Sequence, residues 1–161
     1  MMELICQKCL DIQYRTIGPN HPHTLNSLHG IATSLVGQKR YKEAESRFRS
    51  LVDLRRSVSG DENPHTLSTT HNLAGVLRHQ GRNEEAQEMY LKVLEIERRT
   101  LGADHPHTLT TQANLAELLE ILGEDADAES LCRSTVQLRE REYLDLSIPV
   151  LCLVNAISRK C

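Results

Sequence analysis

Five histidines of this 161-residue chain crowd around prolines: His21, His23, His65, His105 and His107, in "NHPHTL", "NPHTL" and "DHPHTL". Imidazoles so grouped raise three chemistries: metal ligation, proton transfer, or the punctuation of helices. A zinc site needs three or four donors converging at about 2 Å from the ion. Each cluster offers at most two, held on either side of a rigid proline, and the middle one has Asn63 in place of a histidine. The expectation is a turn between helices, with no bound metal.

The remaining candidates are weaker. Cys6 and Cys9 form a lone C-x-x-C; without a second pair they read as small buried apolar residues, since a free thiol packs as a small hydrophobe. The carboxylates of "NEEAQE" and "EDADAE" alternate with apolar positions and read as a solvated helix face. There is no Gly-rich phosphate loop, Ser/His/Asp grouping or nucleophile elbow. The chain is not expected to be an enzyme, and neither a catalytic residue nor a cofactor is assigned.

Composition narrows the class further. Apolar residues make up 39% and charged residues 25%, as in a folded globular protein. Aromatics are only 3% and Trp is absent, so the core must be built from Leu, Ile, Val and Ala, a mixture that favours helices. A net charge of −3 argues against nucleic acid, which needs a basic face. The apolar run "SIPVLCLVNAI" is broken by Pro149 and Asn155 and falls short of a bilayer span. Five cysteines and no basic leader point to a reducing, cytoplasmic setting.

What positions the histidines is a repeat. Pro22, Pro64 and Pro106 stand 42 residues apart, and the same interval relates Gly18, Gly60 and Gly102, Ala32, Ala74 and Ala116, and Ala44, Ala86 and Ala128. Each unit reads as two helices. The first starts near the proline, whose fixed φ suits a first turn, and runs to about Gln38, Gln80 or Leu122. Asn20 and Asp104 are candidate caps, with Glu62 near the dipole's positive end. Leu25, Leu28, Ala32 and Leu35 mark one apolar face. The second helix carries Ala44, Phe48, Leu51 and Leu54, with Ala86, Tyr90, Val93 and Leu94 as counterparts, and ends at the glycine, a C-cap residue of left-handed backbone. Ala32 and Ala44 would let the paired backbones approach closely.

The register divides the chain into residues 1–18, the second helix of a truncated repeat, then repeats at 19–60, 61–102 and 103–144, and a partial or capping first helix at 145–161. The run "NPHTLSTTHNLAGVLRHQGRNEEAQEMYLKVLEIERRTLG" with "HPHTLTTQANLAELLEILGEDADAESL" resembles the long tetratricopeptide repeats of kinesin light chains and of related receptor sensor regions. The resemblance implies an all-α solenoid of helical hairpins, about 7–8 helices in a right-handed superhelix, whose concave groove binds peptide segments of other proteins.

The face of the first helices offset from the Leu/Ala stripe supplies the candidate groove: Asn26 and His29, then His71, Asn72 and Arg78, then Asn114 and Glu117. An amide both donates and accepts, so Asn72 and Asn114 can bond a peptide main chain whatever its side chains; the resemblance places asparagines of the N-L-A motif in that groove. The wall grades from neutral or basic to acidic, and its histidines would add mild pH sensitivity. The expected function is a non-catalytic interaction module, part of a larger adaptor or scaffold, with a protein or peptide partner and neither nucleic acid nor membrane. The competing reading is a structural segment that self-associates by stacking end to end on further repeats or on another copy.

Overall fold

A computed structural model describes residues 2–131 together with 133 and 136, with side chains described from residue 8 onward. Six helices lie wholly within these residues: α1 (Met2–Thr16), α2 (Pro22–Gly37), α3 (Tyr41–Ser59), α4 (Pro64–His79), α5 (Asn83–Thr100) and α6 (Pro106–Leu122). A seventh begins within residues 125–131, and no strand occurs among the described residues. The fold is all-α, as the repeat requires. The segment 145–161 and its degenerate capping helix lie outside the described residues.

The chain divides into two compact units, Met1–Ile96 and Glu97–Cys161, with the boundary inside α5. In the first unit α2 packs on α3 and α3 on α4, with lighter contacts of α2 with α1 and α4. The alanine columns behave as close-approach points: Ala32, Ala44, Ala74 and Ala86 are fully buried. Phe48 and Tyr90 are the largest buried side chains, flanked by Leu51, Leu73, Leu77 and Val93. In the second unit Leu109, Leu115, Ala116, Leu118, Leu119 and Ala128 form the corresponding core. Leu28 and Leu54 are only half-buried; with Tyr14 and Arg47 they line a cleft of about 410 Å³.

The first helices start at Pro22, Pro64 and Pro106 as expected, but their caps lie one residue away from the expected ones. The caps are His21, Asn63 and His105, not Asn20 and Asp104. Nδ1 of His21 accepts the His23 N–H at 3.2 Å, Oδ1 of Asn63 accepts the His65 N–H at 2.9 Å, and Nδ1 of His105 accepts the His107 N–H at 3.2 Å. A bare imidazole nitrogen places its lone pair where an asparagine places its oxygen, so the three positions of this column do one job with two kinds of side chain. Loss of such an acceptor typically costs about 1 kcal/mol. His105→Ala should therefore lower the stability measured by urea denaturation by that amount, whereas His105→Asn should stay within a few tenths of wild type, on the order of the spread among good caps.

The first and third of these turns are closed by a residue that periodicity passes over, whereas the equivalent Thr66 hydroxyl in the second is buried without a hydrogen-bond partner. Thr24 and Thr108 are fully buried, and each donates its hydroxyl proton to the preceding repeat's glycine carbonyl, Gly18 and Gly102, at 2.8 Å. Gly60, at φ 84° and ψ 171°, occupies a region that is essentially glycine's alone. Proline, capping side chain, threonine and glycine together make the histidine-rich segments into joints between hairpins.

Cys9 departs from its expected place. Its repeat-mates Leu51 and Val93 are buried, but Cys9 is exposed. Among the described side chains of α1, residues 8–16, Leu10 is the buried one. The side chain of Cys6 lies outside the described set.

Candidate functional site

The joint of α2, α3 and α4 contains a charge where the stripe on α3 should be apolar. Arg55 follows Phe48, Leu51 and Val52 at helical spacing and is 3% exposed. Its guanidinium has no carboxylate partner among the described residues. Nη1 donates to the His65 carbonyl at 2.6 Å and to Thr69 Oγ1 at 2.8 Å; Nη2 donates to the Leu25 carbonyl at 3.3 Å and to Asn26 Oδ1 at 2.9 Å. Burial lowers its basicity, and Nε finds no hydrogen-bond partner. Arginine suits such a place because its rigid fork can serve several acceptors at once.

Thr69, itself fully buried, carries the network onward. Its hydroxyl donates to the His65 carbonyl at 2.7 Å, and its oxygen lies 3.4 Å from Nδ1 of His29. The other ring nitrogen of His29, Nε2, lies 3.0 Å from Nδ2 of Asn72. The His29 ring is also held edge-on to Phe48, with centroids 5.6 Å apart. Burial first, then the nearby Arg55 and His65, lowers its basicity, which keeps the imidazole neutral.

The structure thus brings together three of the seven residues assigned from sequence, Asn26, His29 and Asn72. Asn26 is exposed, and His29 and Asn72 are half-buried. His71, the repeat-mate of His29, is half-buried and stands edge-on to Tyr90 at 5.1 Å. Arg78 lies in the last turn of α4, six residues beyond Asn72. Asn114 is half-buried and Glu117 exposed, both on α6 in the second unit. The organising residues, Arg55 and Thr69, were not anticipated. The signal was present: a charged residue in register with core positions, whose column reads Gln13, Arg55 and Glu97.

Glu97 gives that column its opposite sign. It is 4% exposed, and one carboxylate oxygen finds no hydrogen-bond partner. Burial raises its pKa, only partly offset by a hydrogen bond from Thr111 and by His107 and His105. A raised carboxyl pKa in the fold means that stability is fully present below the unfolded value, about pH 4, and is lost as pH rises through the folded value. Glu97→Gln should therefore raise stability at pH 7 by about 1 kcal/mol, the lower end of what an uncompensated buried polar group costs. Thermal unfolding followed from pH 7 to pH 4 should show that gain vanish toward the acid end.

Among the described residues no three histidine, cysteine or carboxylate side chains group to hold a metal ion, and no helix is long and apolar enough to cross a membrane. Each unit is built of paired helices with polar turns between them. The sequence profile described as "Tetratricopeptide repeat" matches residues 5–57 and 65–141. The chain belongs to the tetratricopeptide repeat family, whose units are protein-interaction modules.

Two crystal structures of a kinesin-light-chain-type protein of Podosopora anserina with nearly identical TPR-like repeats are similar to it, each at 26% identity, with TM-scores of 0.72 and 0.70. Each alignment covers 85% of this chain and 65% of the other. BtubC (BKLC) from P. vanneervenii shares the fold at 18% identity, with a TM-score of 0.67, over 84% of this chain and 53% of its own. The chain thus spans just under two thirds of the Podosopora structures. No match was found among curated protein sequences.

Proposed function

We propose that this chain is a non-catalytic adaptor module that binds an extended peptide segment of a partner protein along the polar face of its first helices, within a larger cytoplasmic scaffold. The supporting observation is the pair Asn26 and Asn72: each commits one end of its amide to a buried network at about 3 Å and keeps the other for a guest. Preorganised amides bind a main chain without first losing side-chain freedom. His71 and Arg78 lie with Asn72 on α4, and Asn114 and Glu117 lie on α6.

The test uses peptides selected from a displayed random library against the full chain. Asn72→Ala combined with Asn114→Ala removes two hydrogen bonds worth about 1 kcal/mol each, a loss of roughly tenfold or more in affinity. Unchanged affinity in a variant with wild-type helicity and melting temperature would reject the proposed face.

A second reading, self-association, is supported by α1 and the turn after it, which leave Ile12 60%, Tyr14 41% and Ile17 43% exposed. Uncovered apolar surface of this kind favours a partner. Light scattering across a concentration series separates the readings: a constant monomer mass rules this one out.

A further inference from the structure

We propose that Arg55 fixes which hydrogen-bonding group each amide of the wall turns outward: the NH2 of Asn26 and the carbonyl of Asn72. The orientation follows link by link from donor and acceptor capacity. A guanidinium can only donate. Asn26 must therefore offer Oδ1 to Nη2 at 2.9 Å, which leaves its NH2 outside.

The second branch is longer. Arg55 Nη1 donates to Thr69 Oγ1 at 2.8 Å, so that oxygen spends one lone pair as acceptor. The Thr69 proton goes to the His65 carbonyl at 2.7 Å, a far better distance than the 3.4 Å to His29. What Thr69 has left to offer His29 is its second lone pair, and only a protonated Nδ1 can use it. A neutral imidazole with its proton on Nδ1 has a bare Nε2, which only accepts. Asn72 must then turn its NH2 toward Nε2 at 3.0 Å, leaving Oδ1 as the outward group. Burial and the neighbouring positive charges keep the ring neutral, as the chain of reasoning needs.

An asparagine in solvent can rotate its amide to serve either a main-chain N–H or a main-chain carbonyl. Here the choice is made in advance: a carbonyl is read at Asn26 and an N–H at Asn72. Arg55 is thus a positioning residue that sets the register of a bound main chain while touching none of it. This consequence rests on the peptide-binding reading above; the orientation itself does not, and it is tested without any ligand.

The experiment is 15N NMR of the imidazole and side-chain amide groups of the full chain at neutral pH. The expected spectrum has His29 protonated at Nδ1 and unprotonated at Nε2. Thr69→Val removes the acceptor for Nδ1–H while nearly preserving shape, and should move the proton to Nε2 with a concurrent change in the Asn72 amide signals. Arg55→Lys, which lacks the fork that serves Thr69 and Asn26 together, should shift the Asn26 amide signals, and Thr69→Ser should retain the wild-type tautomer. A proton on Nε2 in the wild type overturns the proposal, as does an unmoved tautomer in Thr69→Val. Should a variant fail to fold, the wild-type spectrum still decides. If the tautomer is as stated and no selected peptide depends on Asn72, the binding reading fails alone.

Discussion

Arg55→Ala should destabilise the chain by about 3 kcal/mol, the upper end of the cost of stranding buried polar groups. The substitution leaves the carbonyls of Leu25 and His65, Thr69 Oγ1 and Asn26 Oδ1 without the donor that now serves all four. Asn26 is exposed and can turn to water, but Thr69 and the carbonyl of Leu25 sit in the joint. Removing the guanidinium also opens a void between α2 and α4, beside Leu25, His65 and Thr69. Urea denaturation with an unchanged slope would show a true loss of stability rather than a changed unfolded state. A loss under about 0.5 kcal/mol, the level of an ordinary surface substitution, would mean that the arginine is not buried as described.

Phe48→Ala should cost more, about 3–5 kcal/mol, the range for deleting a large aromatic from a packed core. Phe48 is fully buried at the centre of α3, and the His29 ring rests edge-on against it. The effect should therefore extend beyond stability: the His29 and Asn72 resonances should broaden or shift in conditions where the variant is still folded. Phe48→Leu provides the control, since it retains most of the volume and should cost far less. Tyr90, in the equivalent place beneath His71, supplies a second one. The Asn72 signals should respond to Phe48 more strongly than to Tyr90, because Asn72 is bonded to His29.

The hairpins were readable from single columns because proline, glycine and alanine have steric consequences that depend little on distant neighbours. Pro22 can only begin a helix, Gly60 stands where a side chain is strained, and Ala32 marks a crossing. The caps were displaced by one residue because Asn20 and Asp104 belong to the preferred capping types and histidine does not. Only the geometry shows that Nδ1 of His21 and His105 occupies the capping position. Cys9 was misplaced for a different reason: register tells which face a residue takes, and burial needs something on the other side.

The site was half legible. Asn26, His29 and Asn72 share a helical face, which spacing alone reveals. Arg55 did not stand out, because an arginine on an amphipathic helix reads as solvated. Its burial comes from α2 and α4, up to 30 residues away in sequence. Thr69 stayed hidden because a threonine on a first helix is ordinary until its hydroxyl is seen between two other groups.

The column of Gln13, Arg55 and Glu97 bears on how such a gene could change length. Its members are a half-buried neutral amide, a buried cation and a buried carboxyl group in turn. Excising one 42-residue segment by unequal recombination would bring a carboxylate to the place where Leu25 and Asn26 now present oxygen atoms to a cation. A carboxylate oxygen would face the Leu25 carbonyl oxygen, with no donor between them. Copies that look exchangeable in the DNA are thus individually keyed in the protein, and shortening the array in whole periods carries a penalty at the new seam.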